Sequence, residues 1–394
     1  MPVKRALVIA RLRLVQVVFF LASHLPRRRR VVLATAHGAR ISGNLAFIRA
    51  ELARRPSPVP VSELAYRPAT NLRGQLAAAI HAVRAAFHLA TARVFIVDDY
   101  FFPIYAIEPR PDTTIVQVWH ACGAFKKFGY SVADKSFGAE RVLTDRIRIH
   151  SNYDVCLVSS ASVIPHYAEA FGLPSTVFRS DLGIPRTDLF FDGARATIVE
   201  GVRRRYGLPS DRRVILYAPT FRGDRVTDAR HPVDLDLRRL QAVLGDDHVV
   251  LLKLHPFVRT ATRIDTDLQG FVVDASDHGD VNELMLVSDV LITDYSSVIF
   301  EFALLGRPMV FFAPDHEAYE RERGFYADYR GFVPGPVFET SDQVAAYLRE
   351  GVFDLDRVVR FRDASFDVAD GGATARLVDQ VIVPALGRAT EGRD

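Results

Sequence analysis

Two histidines in this 394-residue chain close apolar runs, where a side chain can leave a sheet and work on a ligand. His120 ends TIVQVWH and is followed by ACGAFKKFG, a loop with glycine and two lysines. Imidazole titrates near neutrality, so His120 can take the proton of a hydroxyl nucleophile. Lys126 or Lys127, with backbone N–H groups of the loop, can meet a phosphate. A purely structural strand-end histidine is the competing reading of that residue taken alone. His255 ends VVLLKLH, with Lys253 two residues earlier on the same strand face. Its imidazolium can donate to a diphosphate oxygen, or equally bond its own loop.

The third constellation is SDVLITDYSSVIFEFALLGRP. An apolar strand runs through Asp294 into Ser296 and Ser297, which open a helix whose N–H groups and hydroxyls suit an anion. Glu301 follows Ser297 by about one helical turn and can bond a ribose hydroxyl while the serines hold phosphates. Ordinary helix capping explains each of these residues singly; their combination points to a nucleoside diphosphate. Other chemistries lack their residues. The chain has no GxxxxGK[ST] loop, no dinucleotide glycine fingerprint after the first strand, no HExxH, no CxxC and no GxSxG.

These residues need a scaffold, and the hydropathy pattern supplies one. Short apolar runs (VVLATA, VFIVDD, TIVQVWH, VCLVSS) alternate with helical spacing such as Leu45, Ile48 and Leu52. A second series starts after DLGIPRTDLFF, with runs VILYAPT, VVLLKLH, FVVDA, VLITDY and MVFFAP. Alternation of this kind predicts parallel sheets covered on both faces. The fold class is α/β, with two Rossmann-like domains facing across a cleft. The boundaries fall at residues 1–30 for an amphipathic helix and basic run, 31–187 for an acceptor-side domain, 188–370 for a donor-binding domain, and 371–394 for a C-terminal helix and tail. The last helical stretch is expected to cross back to the first domain.

Composition agrees with a packed globular protein, at 49% hydrophobic and 25% charged residues. A formal charge of only +3 gives no basis for nucleic-acid binding, and two cysteines suit a reducing compartment. The positive charge is local. ALVIARLRLVQVVFFLASHLP is followed at once by Arg27, Arg28, Arg29 and Arg30. Arg11 and Arg13 weigh against a spanning helix, and the flank lacks a signal-peptide cleavage site. A helix lying in an anionic membrane surface is the favoured reading, and packing on the protein's own core is the alternative.

At VWHACGAFKKFG, GIPRTDLF, ILYAPTFRGD and the run from LLKLHP to DVNELMLVSDVLITDYSSVIFEFALLGRPMVFF, the sequence resembles the CDP-glycerol glycerophosphotransferase family. Members of that family build teichoic-acid-type polymers from CDP-linked polyols. The resemblance spans roughly residues 30 to 370 and implies a glycosyltransferase-B-like fold with the donor held by the second domain. It implies His120 as base and His255 against the donor diphosphate, with Arg222 adding charge there. Ser296 and Ser297 match diphosphate-binding positions, Glu301 the ribose position, and Asp294 a loop-orienting position.

The implied reaction is transfer of glycerol phosphate or ribitol phosphate from CDP-glycerol or CDP-ribitol to a polyprenyl-diphosphate-linked acceptor, with CMP leaving. No metal and no cofactor is demanded. The expected location is the cytoplasmic face of the cell membrane, as a peripheral protein, and the chain's length favours a primase over a long-chain polymerase. The alternatives are a nucleotide-sugar glycosyltransferase of the same fold, and an inactive membrane-associated protein that only binds a nucleoside diphosphate.

Overall fold

A computed structural model describes residues 2–36, 38–66, 72–132, 147–223, 235–255, 258 and 264–387. Pro256 and residues 388–394 of the expected tail lie outside them. In the first half, α1 (Pro2–Ser23) leads into β1 (Arg28–Thr35), α2 (Gly43–Arg54), β2 (Val61–Ala65), α3 (Leu72–Thr91) and β3 (Ala92–Val97). β4 (Thr114–Gln117), β5 (Val155–Leu157), α4 (Ile164–Phe171) and β6 (Phe178–Arg179) complete it. The six strands are parallel in the order β2-β1-β3-β4-β5-β6. All six residues of β3 are buried, as a strand covered on both faces requires.

The second half begins with α5 (Arg195–Tyr206) and continues through β7 (Arg213–Tyr217), α6 (Leu237–Leu244), β8 (His248–Leu252), β9 (Val272–Asp274), α7 (Val281–Val287) and β10 (Val290–Thr293). It then runs through α8 (Val298–Ala303), β11 (Met309–Phe312), α9 (His316–Arg323), β12 (Val337–Phe338), α10 (Ser341–Glu350) and α11 (Leu355–Ser365). Its sheet is also parallel, in the order β12-β11-β10-β7-β8-β9. Chain direction across the sheet reverses between β7 and β10, so the loops after those strands diverge and open a crevice. The third constellation lies after β10, at that crevice.

The chain then returns. Asp367 N donates to Ser159 O at 2.9 Å, and the amides of Ala373 and Thr374 donate to the Asp188 carboxylate at 3.0 and 2.8 Å. The helical segment from Ala373 to Gly387 therefore packs on the first half, against α2 and β3.

The amino terminus differs from expectation in two respects. β1 starts at Arg28, so three of the four arginines belong to a strand. The side chain of Arg27 is only 1% exposed and pairs with Asp112, because the strand entry carries it inward. Burial, with Arg110 next in effect, pulls its pKa down to about 10. Along α1, Leu12, Val15 and Ala22 are buried, and the helix packs on α3. Leu14, Val17, Phe20 and Leu21 are exposed, with Leu76 and Ile80 of α3. The helix is thus apolar on its packed side and on part of its open side. Among the described residues, no helix is long and apolar enough to cross a membrane.

Candidate active site

β4 stops at Gln117, three residues short of the end of the run that suggested it. The Gln117 side-chain oxygen accepts the amide of Trp119 at 2.9 Å, which turns the chain, and Trp119 takes a left-handed φ of 51°. Such a φ is strained for a bulky residue, and packing must hold it. The indole is wedged among Phe128, His150 and Phe171, with centroid distances of 5.5, 5.8 and 5.1 Å. Buried Asn44 donates to the carbonyls of Val118 and Trp119 at 3.1 and 2.9 Å.

The turn delivers His120 half-exposed, its side chain 43% accessible, with its ring 4.4 Å from the Trp119 ring. His120 Nδ1 lies 3.3 Å from the Asp98 carbonyl and 3.5 Å from Asp99 Oδ1. Two oxygens beside Nδ1 favour the tautomer with the proton there, leaving Nε2 to accept one from a substrate.

Behind the loop, Gly123 adopts φ 68°, and a Cβ there would come within 2.2 Å of the Phe300 ring. Only glycine fits. Its amide donates to Ser159 Oγ at 3.1 Å and its carbonyl accepts Tyr167 OH at 2.9 Å. Farther along, Lys127 N donates to Gly324 O at 3.1 Å and Tyr326 N to Phe125 O at 3.1 Å, which joins the loop to the second half.

A cavity of about 380 Å³ opens over this loop. His120, Lys126 and Lys127 line it from the first half; His255, Ser296 and Ser297 line it from the second. Six of the residues read from sequence therefore meet in one place. Arg323, at the end of α9, also lines it, and among the described residues no carboxylate does. The His255 ring packs 4.7 Å from Phe221, which belongs to the same wall. Ser297 stands at the N-cap position of α8 without a side-chain cap bond, and Ser296 Oγ accepts the Val298 amide at 3.4 Å. α8 has six residues, so it contributes a small dipole, and the hydroxyls are the better anion donors.

Three residues expected at the ligand, Glu301, Lys253 and Arg222, do not line this cavity, and Asp294 stands in the loop-orienting position expected of it. Glu301 is 2% exposed and its carboxylate pairs with Arg186. Lys253 Nζ donates to the carbonyls of Ser276 and His278 at 2.8 and 2.7 Å, tying down the turn after β9. Arg222 is clasped by Asp315 at 2.6 and 3.0 Å and by Asp294 at 2.9 Å. One cation between two carboxylates offers no surplus positive charge. Burial works against the Arg222 charge, but the carboxylates outweigh it and raise its pKa. Asp294 is buried, accepting the amides of Thr220 and Tyr295 at 2.8 and 2.6 Å, and so fixes the loops after β7 and β10.

Sequence reasoning missed Asn44, Asp99, Arg186 and Arg323. Arg186 had a signal, since it lies inside GIPRTDLF. Arg186 Nη1 donates to the His120 carbonyl at 2.6 Å while Nη2 holds Glu301, and its amide donates to Asn44 Oδ1 at 2.9 Å. Burial lowers and the neighbouring Glu301 raises its pKa, with a net rise. Cys122, buried beside this pair, has its thiol pKa pushed well up by burial and by Glu301, so it stays protonated.

Two parallel sheets and a cationic cavity beside a strand-order reversal define the chain as an α/β protein. The chain belongs to the CDP-Glycerol:Poly(glycerophosphate) glycerophosphotransferase family, whose pattern matches residues 17–383, and it is an enzyme of the teichoic acid polyol-phosphate transferases. It is 38% identical over 353 residues to the teichoic acid ribitol-phosphate primase of Bacillus spizizenii, covering 89% of this chain and 90% of that one. It is also 38% identical over 361 residues to that organism's teichoic acid poly(ribitol-phosphate) polymerase, covering 91% of this chain but spanning only 57% of the relative's length. Among solved structures, a variant of the wall teichoic acid polymerase TagF superposes with a TM-score of 0.78 at 23% identity, covering 99% of this chain and 97% of that one. UDP-GlcNAc 2-epimerase from Neisseria meningitidis shares the fold more distantly, with a TM-score of 0.55 at 13% identity over 90% of this chain and 100% of that one.

Proposed function

We propose that the enzyme transfers ribitol phosphate from CDP-ribitol to a hydroxyl of a lipid-linked acceptor at a membrane surface, releasing CMP, and acts as a primase. The observation that carries the reading is the cavity wall itself. Two histidines, two lysines, an arginine and two serines surround it and, among the described residues, no carboxylate does, which suits a dianionic diphosphate. His120, with Asp99 and the Asp98 carbonyl at Nδ1, takes the proton of the attacking hydroxyl. The oxygen then attacks the donor's polyol-bearing phosphorus in line, and the bond to the CMP oxygen breaks. His255, Lys126, Lys127 and the serines balance the charge that develops on the leaving group.

The ribitol preference rests on relatives. Ribitol-phosphate enzymes align at 35–38% identity over about nine-tenths of the chain, whereas glycerol-phosphate enzymes align at 28–33% over 67–77%. The primase is matched over nearly its whole length. Family membership and a TagF structure soaked with CDPG favour a CDP-polyol over a nucleotide sugar. Exposed Leu14, Val17, Phe20 and Leu21, together with exposed Arg28 and Arg29, support a membrane-facing side in the glycosyltransferase-B-like arrangement.

The test is CMP release from CDP-ribitol and CDP-glycerol, side by side, with lipid-linked saccharide acceptors that carry no, one or several polyol phosphates. Turnover of CDP-ribitol on an acceptor with none or one is the expected result. Release of nucleotide from a UDP-sugar instead, or none from either CDP-polyol with any acceptor, would end the proposal.

A further inference from the structure

Gln117 ends β4 and is wholly buried. A buried side-chain amide is costly unless its polar atoms find partners. This one finds three. Oε1 accepts the Trp119 amide at 2.9 Å, while Nε2 donates to the Asp99 carbonyl at 3.1 Å and to Tyr153 OH at 3.0 Å. In the sheet Gln117 is paired with Val97, the last residue of β3, so the segments leading to Asp99 and to His120 leave neighbouring strands at one level. A single planar amide therefore bonds both segments just beyond the strand ends.

The amide is itself held from behind. Tyr153 OH is bonded to Tyr105 OH, and Tyr105 OH accepts the amide of Phe101 at 3.2 Å. Tyr105 and Tyr153 are buried with Gln117. The segment after β3 is thus pinned on both sides of Tyr100, at Asp99 through Gln117 and at Phe101 through Tyr105. His120 Nδ1 faces the Asp98 carbonyl at 3.3 Å and Asp99 Oδ1 at 3.5 Å, and both separations depend on how these two segments stand to one another. Which ring nitrogen of a histidine carries the proton is set by the bond its other nitrogen makes.

We propose that Gln117 is a positioning residue for the transfer: its amide holds the Asp99 segment against the His120 turn, which keeps the proton on Nδ1 of His120 and leaves Nε2 to take the proton of the acceptor hydroxyl. The inference rests on His120 acting as base and deepens that reading by naming what sets its tautomer. Gln117 does not line the cavity, so its effect on chemistry runs through His120 and Asp99. A misplacement of about 1 Å at a reacting group costs on the order of a hundredfold in rate, so a link of this kind has leverage far beyond its own bond energy.

The experiment is heteronuclear NMR of the histidine ring nitrogens in the full chain, with His120 assigned by the signals lost in His120→Gln, alongside steady-state CMP release from CDP-ribitol. Gln117→Glu keeps the shape and an acceptor for the Trp119 amide but removes both N–H donors, and Gln117→Met removes all three bonds. Neutral His120 is expected in the Nδ1–H form in the wild type and shifted towards the Nε2–H form in both variants. In both, kcat should fall by about tenfold to a hundredfold with the KM for CDP-ribitol nearly unchanged. A folded Gln117→Glu protein with the wild-type tautomer would overturn the proposal, whatever its kcat. So would a wild-type His120 already in the Nε2–H form, a result that needs no variant to fold. The tautomer is read without turnover. A Gln117-dependent tautomer in a protein that releases no CMP would therefore refute the reaction and keep the link from Gln117 to His120, whereas CMP release with an unchanged tautomer would do the reverse.

Discussion

The guanidinium of Arg186 reaches the main-chain carbonyl of His120 at 2.6 Å. The same group pairs with Glu301 of α8, so one buried cation couples the loop of the candidate base to the helix that follows the candidate phosphate-binding serines. Neither contact touches the cavity contents. Their effect on chemistry runs through the position of the His120 backbone.

Removing one partner of that pair leaves a buried charge alone. Glu301→Ala should cost about 3–5 kcal/mol of stability, read from the urea midpoint. Arg186→Met combined with Glu301→Leu should recover most of that loss, because both charges are gone, yet turnover should stay low since the Arg186 bond to the His120 carbonyl is lost. Full activity in the double variant would show that the coupling is structural only.

His120→Ala should lower kcat by about 10²- to 10⁴-fold with donor affinity nearly unchanged. Asp99→Asn, which keeps the shape beside Nδ1 but removes the charge, should cost roughly tenfold or more and move the acidic limb of the pH–rate profile. If His120→Ala instead abolishes donor binding in a folded protein, the base assignment fails.

Gly123→Ala places a methyl inside the Phe300 ring and at φ 68°. We expect CMP release to fall sharply and the melting temperature to drop. Adding Phe300→Leu should restore part of the stability by clearing the clash, while the backbone strain, on the order of 1 kcal/mol, remains. Unchanged stability in Gly123→Ala would mean the loop relaxes freely.

Acid should destabilise the fold through three histidines that burial keeps neutral. Burial, with Arg84 and Arg11 next, pulls His81 down to about 4. His88 falls to about 4 for the same first reason, with Arg30 nearby, and His150 to about 3. Unfolded, each titrates near its ordinary value of 6.5. Below that pH the unfolded chain binds protons that the native protein refuses, so stability declines from about pH 6.5 towards pH 4 for His81 and His88 and towards pH 3 for His150. His81 is stacked on Tyr66, 5.0 Å away, and His81→Phe should keep that packing and flatten the decline. An equally steep pH dependence of the urea midpoint in His81→Phe would rule His81 out as a contributor.

Phe20→Glu with Leu21→Glu should reduce co-sedimentation with anionic vesicles while sparing the fold, since both side chains are exposed. Arg28→Ala with Arg29→Ala should weaken binding by roughly 1 kcal/mol per charge at low salt and less at high salt. Wild-type retention in both double variants would exclude this face as the membrane contact.

Much of the molecule was legible in order along the chain. Buried parallel strands must be apolar throughout, and helices between them must carry one apolar stripe, so the alternation of the two signals announces the sheets. Residues at strand ends before glycine or serine were legible for the same reason, and His120, Lys126, Lys127, His255, Ser296 and Ser297 do share one cavity. Partner choice was not legible. Arg222, Lys253 and Glu301 have the right charges for a nucleotide, but each charge is already met by the protein: two carboxylates, two carbonyls and an arginine. A sequence shows that a charge exists and not what lies within 3 Å of it.

The sequence by itself determined the strand order in time, the apolar interior and the chemical types at the strand ends, because these depend on local periodicity. Tertiary structure alone decided which ends face one another. Asn44, Asp99, Arg186 and Arg323 are distant in sequence from the residues they serve, and only the folding of two sheets against one loop brings them to His120 and the cavity. Electrostatic and hydrogen-bond partnership falls off within a few ångströms, so it is a property of that packing and has no periodic trace along the chain.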